Sequence, residues 1–225
     1  MCGRFDRHSS LVDFSNVIGN LNQACSDELP ASFNIAPSQQ ALVVRESVGS
    51  PIAVAMKWGL RPSWLKASNA TPQINARSET ACEKPMFRNA IRQHRCLILC
   101  DGFFEWQKRS SKFKQPYYIH GPSHTPFVLA GIWSTSKNLT GEEVSSFVIL
   151  TTRSDESVSY IHHRMPLRVE TDIQAAWLNP QITEAKDIQQ LISACKGLWK
   201  SYPIGPYVNN PKNSTRRCIS RDNTG

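Results

Sequence analysis

The chain has 225 residues, 40% of them hydrophobic and 20% charged, ordinary globular proportions that exclude a disordered, fibrous or collagen-like protein. No apolar run approaches the ~20 residues a bilayer-spanning helix needs, and Asp6, His8 and Asp13 stand where a secretory leader would be apolar, so a soluble intracellular chain without membrane contact is expected. Lys and Arg number 26 against 18 acidic residues, a formal charge of +8, which leaves open a polyanionic partner such as nucleic acid or a basic enzyme that has none.

In chain order, Leu11, Phe14 and Ile18 share one face of a predicted helix over residues 10–18, with Ser10 and Asp13 spaced as a cap. Short strands over 41–44 and 51–56 flank a Gly49-Ser50 turn, and a helix is predicted over 84–94 with Pro85 in its first turn. Apolar runs over 96–100, 127–133 and 147–151 read as strands, Val148–Leu150 being buried on both faces. Between the first two, residues 108–114 place four basic residues around Phe113, a solvated hairpin tip. Helices follow over 171–178 and 183–195. The second sets Ile188, Leu191, Ile192 and Cys195 at helical spacing and stops at Gly197, which makes Cys195 a core residue. The stretch 209–225, with Lys212, Arg216, Arg217 and Arg221, reads as a loose basic tail after a domain spanning 1–208. The pattern lacks the regular alternation of a doubly wound sheet, and no repeat or linker divides it, so the expectation is a single α+β domain.

The seven cysteines are scattered and form no C-x-x-C or zinc spacing, so neither a disulfide scaffold nor a metal or other cofactor is expected. Cys2 is different. A small residue at position 2 permits removal of Met1, which would leave a free α-amine beside the thiol. Such a pair can condense with an aldehyde and close a five-membered thiazolidine, since the amine titrates near ~8 and the thiol near ~8.5. Glu105 lies among aromatics in Asp101-Gly102-Phe103-Phe104-Glu105-Trp106, where desolvation suits a proton shuttle, although a carboxylate paired with an arginine fits as well. His162 and His163 precede Arg164 in a loop.

Taken together, the segments M-C-G-R-F, F-N-I-A-P, W-G-L-R-P-S-W, I-N-A-R-S-E-T, D-G-F-F-E-W, I-H-H-R-M-P and V-N-N-P-K-N, in order from residue 2 to about residue 213, resemble the SOS response-associated peptidase (SRAP) family. The resemblance implies a mostly antiparallel, barrel-like β core flanked by helices. It also implies a sensor of abasic sites in single-stranded DNA that bonds itself to the lesion. Cys2 would then capture the ring-opened sugar aldehyde, Asn75 orient the terminal amine and the sugar, Glu105 act as general base and aid release of Met1, and His162 help open the sugar. Arg4, Arg77 and Arg164 match phosphate-binding arginines; Asn34, Pro37, Trp64 and Thr151 match the DNA groove, with Trp106 beside the site. Trp64 and Leu65 would stack on the base next to the gap, whereas Trp58 is expected in the core. His163 and Met165 depart from residues carried by some relatives. The resemblance further implies self-processing peptidase and lyase-like activity, a monomer, and a cytoplasmic, nucleoid or nuclear location. Two other classes compete: a class II glutamine amidotransferase, which also opens Met-Cys-Gly but for which no glutamine-pocket motif follows, and a DNA reader without chemistry.

Overall fold

The computed structural model describes residues 2–18, 29–62, 64, 71–110, 114–138 and 140–222. Among them run β1 (Phe5–Arg7), α1 (Leu11–Ser15), β2 (Ser32–Ile35), β3 (Gln40–Ser47), β4 (Ser50–Trp58) and β5 (Asn75–Arg77). Next come α2 (Arg88–Gln93), β6 (Arg95–Cys100), β7 (Gly102–Lys108), β8 (Lys114–His120), β9 (Phe127–Lys137) and β10 (Glu143–Arg153). β11 (Arg164–Pro166), α3 (Thr171–Leu178), α4 (Ala185–Ala194) and β12 (Lys200–Pro203) complete the order.

The strands form two sheets. One runs β12-β8-β7-β1-β2; in the other, β10-β4-β3-β6-β9 closes on itself because β9 also pairs with β10, making a five-stranded barrel with β11 and β5 at the side of β10. All pairings are antiparallel except those of β10 with β4 and with β5. This is the expected α+β architecture with a mostly antiparallel, barrel-like core and helices around it.

Period-two alternation on the barrel strands divides the core. Leu97, Leu99, Val128, Ala130, Val148 and Leu150 join the cluster that contains Phe14, Trp177, Ile188 and Ile192 of the helices. Their neighbours Cys96, Ile98, Cys100, Leu129, Phe147 and Ile149 join a second cluster with Phe5 and Phe103 of the other sheet, and Cys2 lies in it. Apolar residues therefore run continuously along these strands, since both faces are covered. Trp58 is in the core as expected, edge-on to Phe5 at 5.1 Å and stacked with Phe147 at 6.4 Å.

Two expectations need correction. The helix read over 84–94 shrinks to Arg88–Gln93. Pro85 has no N–H to donate, and isolated turns closed by Thr80 and Lys84 carbonyls lead up to Phe87 instead. The tail is not loose: from 209 to 222 it docks on the five-stranded sheet. Cys218 is buried with Phe104, Tyr118, Tyr202 and Val208, and Tyr202 donates its hydroxyl hydrogen bond to the Ile219 carbonyl at 2.8 Å. Arg221 lies 4.2 Å above the Tyr202 ring and Arg217 4.6 Å above that of Tyr207, so two of the four basic residues read in a loose tail cover aromatic faces. Ser10 and Asp13 do form the capping box of α1.

Candidate active site

Four side chains far apart in sequence meet where the two sheets face each other. Cys2 precedes β1 and is buried in the shared cluster, its Sγ 3.8 Å from the Arg4 carbonyl. β5 pairs in parallel with β10, Asn75 opposite Ile149, and this places the Asn75 amide to donate a 2.8 Å hydrogen bond to the Cys2 carbonyl. The Asn75 Oδ1 is buried and has no hydrogen-bond partner among the described residues. An amide with one end committed and a buried acceptor left over is an acceptor site for an incoming N–H or O–H.

Glu105 reaches this place from β7, where it is buried. Burial first, and then the negative charge of Glu105, push the Cys2 thiol well above its ordinary range, so the sulfur is held protonated. His162, from the loop before β11, brings Nδ1 to 4.0 Å from Glu105 Oε1. The Arg164 backbone N–H at 3.0 Å and carbonyl at 3.1 Å both lie on His162 Nδ1, fixing the ring in either protonation state. An amide, a carboxylate and an imidazole around a buried thiol can position a nucleophile and move a proton at it.

The residues expected to hold DNA divide into three groups. Arg77 and Trp64 are exposed, Trp64 at 58%. Pro37 is half-buried in the turn between β2 and β3, and Leu65 lies outside the described residues. Trp106 is half-buried, its indole N–H donating to Asn209 Oδ1 at 2.8 Å.

Asn34 and Thr151 are corrections, because the structure places both in the interior. Asn34, 1% exposed, accepts from Arg4 Nη1 at 2.8 Å and donates to the carbonyls of Val208, Asn210 and Asn213. A short amide with four main-chain and guanidinium partners within reach is drawn in by them, and it ties Arg4 to the C-terminal segment. Thr151 is fully buried and offers its carbonyl to Arg164 at 2.5 Å.

Arg164 is also bidentate to Glu79, at 2.6 and 2.9 Å, and that contact holds the Glu79 carboxyl below its usual range. The sequence reading assigned Glu79 no role, although it stands inside I-N-A-R-S-E-T. Arg153 was missed as well; it lines a basic cleft with Arg77, His163 and Arg164. Nothing near Arg153 in sequence marks it, since its neighbours come from β5 and the loop before β11.

The family model described as SOS response associated peptidase (SRAP) matches residues 1–211. Among curated proteins, the chain is similar to the abasic site processing protein YoaM of Bacillus subtilis, 32% identical and spanning 99% of both chains. It is similar also to the abasic site processing protein YedK of Escherichia coli, 29% identical over 97% of this chain and 99% of that one. Among solved structures, a protein from Bacteroides thetaiotaomicron matches 98% of this chain and 100% of its own with a TM-score of 0.81 at 23% identity, which is a likeness of fold.

Proposed function

The chain belongs to the SOS response associated peptidase family, and from that premise we propose that it processes abasic sites in single-stranded DNA by bonding Cys2 covalently to the lesion. The relatives carry abasic site processing in their names, which supports the substrate class. The observation that carries the chemistry is the meeting of Asn75, Glu105 and His162 around Cys2.

In this reading Met1 is removed first, with Glu105 assisting, and this self-processing is the peptidase activity. The freed amine attacks the C1′ aldehyde of the ring-opened sugar, and loss of water gives an imine. The thiol then adds to the imine carbon, its proton passing to the nitrogen, and closes the thiazolidine. A thiol kept protonated by burial and by Glu105 is a poor first nucleophile, which favours the amine, once it has given up its ammonium proton, as the group that attacks first. Glu105 takes protons from the amine and the thiol. His162, held by Arg164, delivers a proton to the sugar oxygen as the ring opens. The unpartnered Asn75 Oδ1 accepts from the amine or from a sugar hydroxyl.

Arg77 contacts phosphate directly. Arg4 and Arg164 supply positive charge from fixed positions, the first held by Asn34 and the second by Glu79. The exposed Trp64 stacks on the base beside the gap.

Purified protein mixed with abasic and with intact oligonucleotides, run on a denaturing gel, tests the scheme. A shifted band confined to the abasic strand and abolished by Cys2→Ala is expected. A band of full intensity with Cys2→Ala refutes the mechanism, and so does a mature chain that retains Met1 yet still forms the band.

A further inference from the structure

A second cleft, of about 530 Å³, lies between the end of β4 and the β9–β10 hairpin. Lys57, Arg61 and Lys137 line it together with Ser136 and Thr140, and no carboxylate is among its described lining residues. Its wall is built. Ser146, buried, accepts the Arg61 backbone N–H at 3.1 Å and points its own hydroxyl at the Ser134 carbonyl at 3.4 Å. Gly59, at φ +132, turns the chain out of β4 with Pro72 so close that a Cβ would stand 3.0 Å from it. Two acidic residues stand at the rim. Glu142 is tied to Asn138 and Thr140 at 2.8 and 2.9 Å, and Glu143 faces Lys137 across the ladder.

Three cations around hydroxyls, with no carboxylate among the described lining residues, select an anion with several oxygens, and phosphate is the commonest in the cell. Position selects its source. Arg61 stands three residues before Trp64, on the same excursion between β4 and β5 whose far end delivers Asn75 to Cys2. Along β10, five residues or about 17 Å separate Ser146 at the cleft from Thr151 beside Arg164. A strand that leaves the lesion over Trp64 thus passes the cleft within a few nucleotides.

We propose that this cleft is a second phosphate subsite, holding a backbone phosphodiester of the same DNA strand on one side of the lesion through Lys57, Arg61 and Lys137. The assignment rests on the reading of Cys2 as the place where the lesion is held. It adds a fixed polarity: one arm of the strand is gripped at a distance, the other is not.

The test uses the Lys57→Ala/Lys137→Ala double variant, both residues being exposed and outside the chemistry. The probes are single strands with one tetrahydrofuran residue, which mimics the lesion but cannot react, carrying long arms on both sides or a short arm on either side. Anisotropy titrations over a salt series should show the variant binding the long strand roughly three- to tenfold more weakly, with a slope of log K against log salt smaller by about 0.7. One of the two shortened strands should be bound equally by both proteins. Equal affinity and slope on the long strand overturn the proposal, as does an equal loss on every strand. A deoxynucleoside monophosphate that binds in a Lys57- and Lys137-dependent way without competing with the long strand overturns it too, in favour of a free nucleotide. Crosslinking to a true abasic strand at saturating protein is measured in parallel. Its absence in the wild type defeats the reading of Cys2 whatever the titrations give, and its retention in the double variant shows that the cleft alone was altered.

Discussion

Asn75 carries a requirement that its residue type alone meets. Its N–H donates to the Cys2 carbonyl while its oxygen stays open, so Asn75→Asp keeps the shape but sets oxygen against oxygen. A lost hydrogen bond and a new repulsion of about 1–2 kcal/mol should slow crosslinking roughly tenfold or more at saturating DNA, with affinity for an inert abasic analogue little changed. Rapid-quench kinetics check this, and an unchanged rate would remove Asn75 from the site. A second residue-scale prediction concerns Asp6, buried beside His8 and Asp101. Desolvation, opposed by the hydrogen bond to His8 at 2.7 Å, pushes its carboxyl up to about 7, and the same bond raises His8. Both shifts mean that the folded chain binds more protons than the unfolded one, so this pair contributes stability at low pH that is lost as pH rises from about 4 through about 7. Asp6→Asn should flatten that decline, measured as denaturant midpoints at pH 5 and pH 8; a variant that loses as much as the wild type would contradict the assignment. Cys2 and Glu105 are legible in the sequence as chemically capable residues, and the aromatics around Glu105 announce its desolvation. The burial of Cys2 and of Asp6 is not legible, because it depends on neighbours from other strands.

Among the elements, those read correctly are the ones whose local signals agree with their packing. Thr171–Leu178 is observed as read, and Ser10 with Asp13 caps α1, since periodicity and capping act within one segment. The failure at 84–94 is a contest between a helical face and Pro85, which the turns at Thr80 and Lys84 decide. β5 was not anticipated at all. Three residues form a strand there because β10 offers an edge, and the site depends on it. The docked C-terminal segment hangs on β2 through Asn34. Asn34→Ala removes the donor to three carbonyls and the acceptor for Arg4, so a loss of about 2–3 kcal/mol is expected in chemical denaturation, with release of residues 209–222 seen by hydrogen exchange. Unaltered protection of that segment would show that aromatic stacking alone holds it.

On the scale of the molecule, the +8 charge becomes informative only once it is distributed. Part of it is fixed in place by internal partners: Arg164 by Glu79, Arg4 by Asn34 and Val208, Arg217 and Arg221 by aromatic rings. Beside the site stand Arg77 and Arg153, and at the second cleft Lys57 and Lys137. Arg77→Ala should therefore weaken single-strand binding uniformly across sequences and lower the salt slope by about 0.7, while crosslinking at saturation persists. A slope equal to that of the wild type would place Arg77 off the strand.

The sequence by itself determined that the chain is one α+β domain and that Cys2 stands in the first of seven ordered motifs, because composition, periodicity and ordered motifs are local properties. Tertiary structure alone decided that β10 receives β5 in parallel, so that Asn75 meets Cys2, that Asn34 and Thr151 point inward rather than at a ligand, and that the basic C-terminal stretch is a docked segment. The physical reason is common to all three. Strand pairing and the burial of polar side chains depend on partners tens to hundreds of residues away, such as Val208 for Asn34 and Ile149 for Asn75, and such partners leave no mark at the positions they govern.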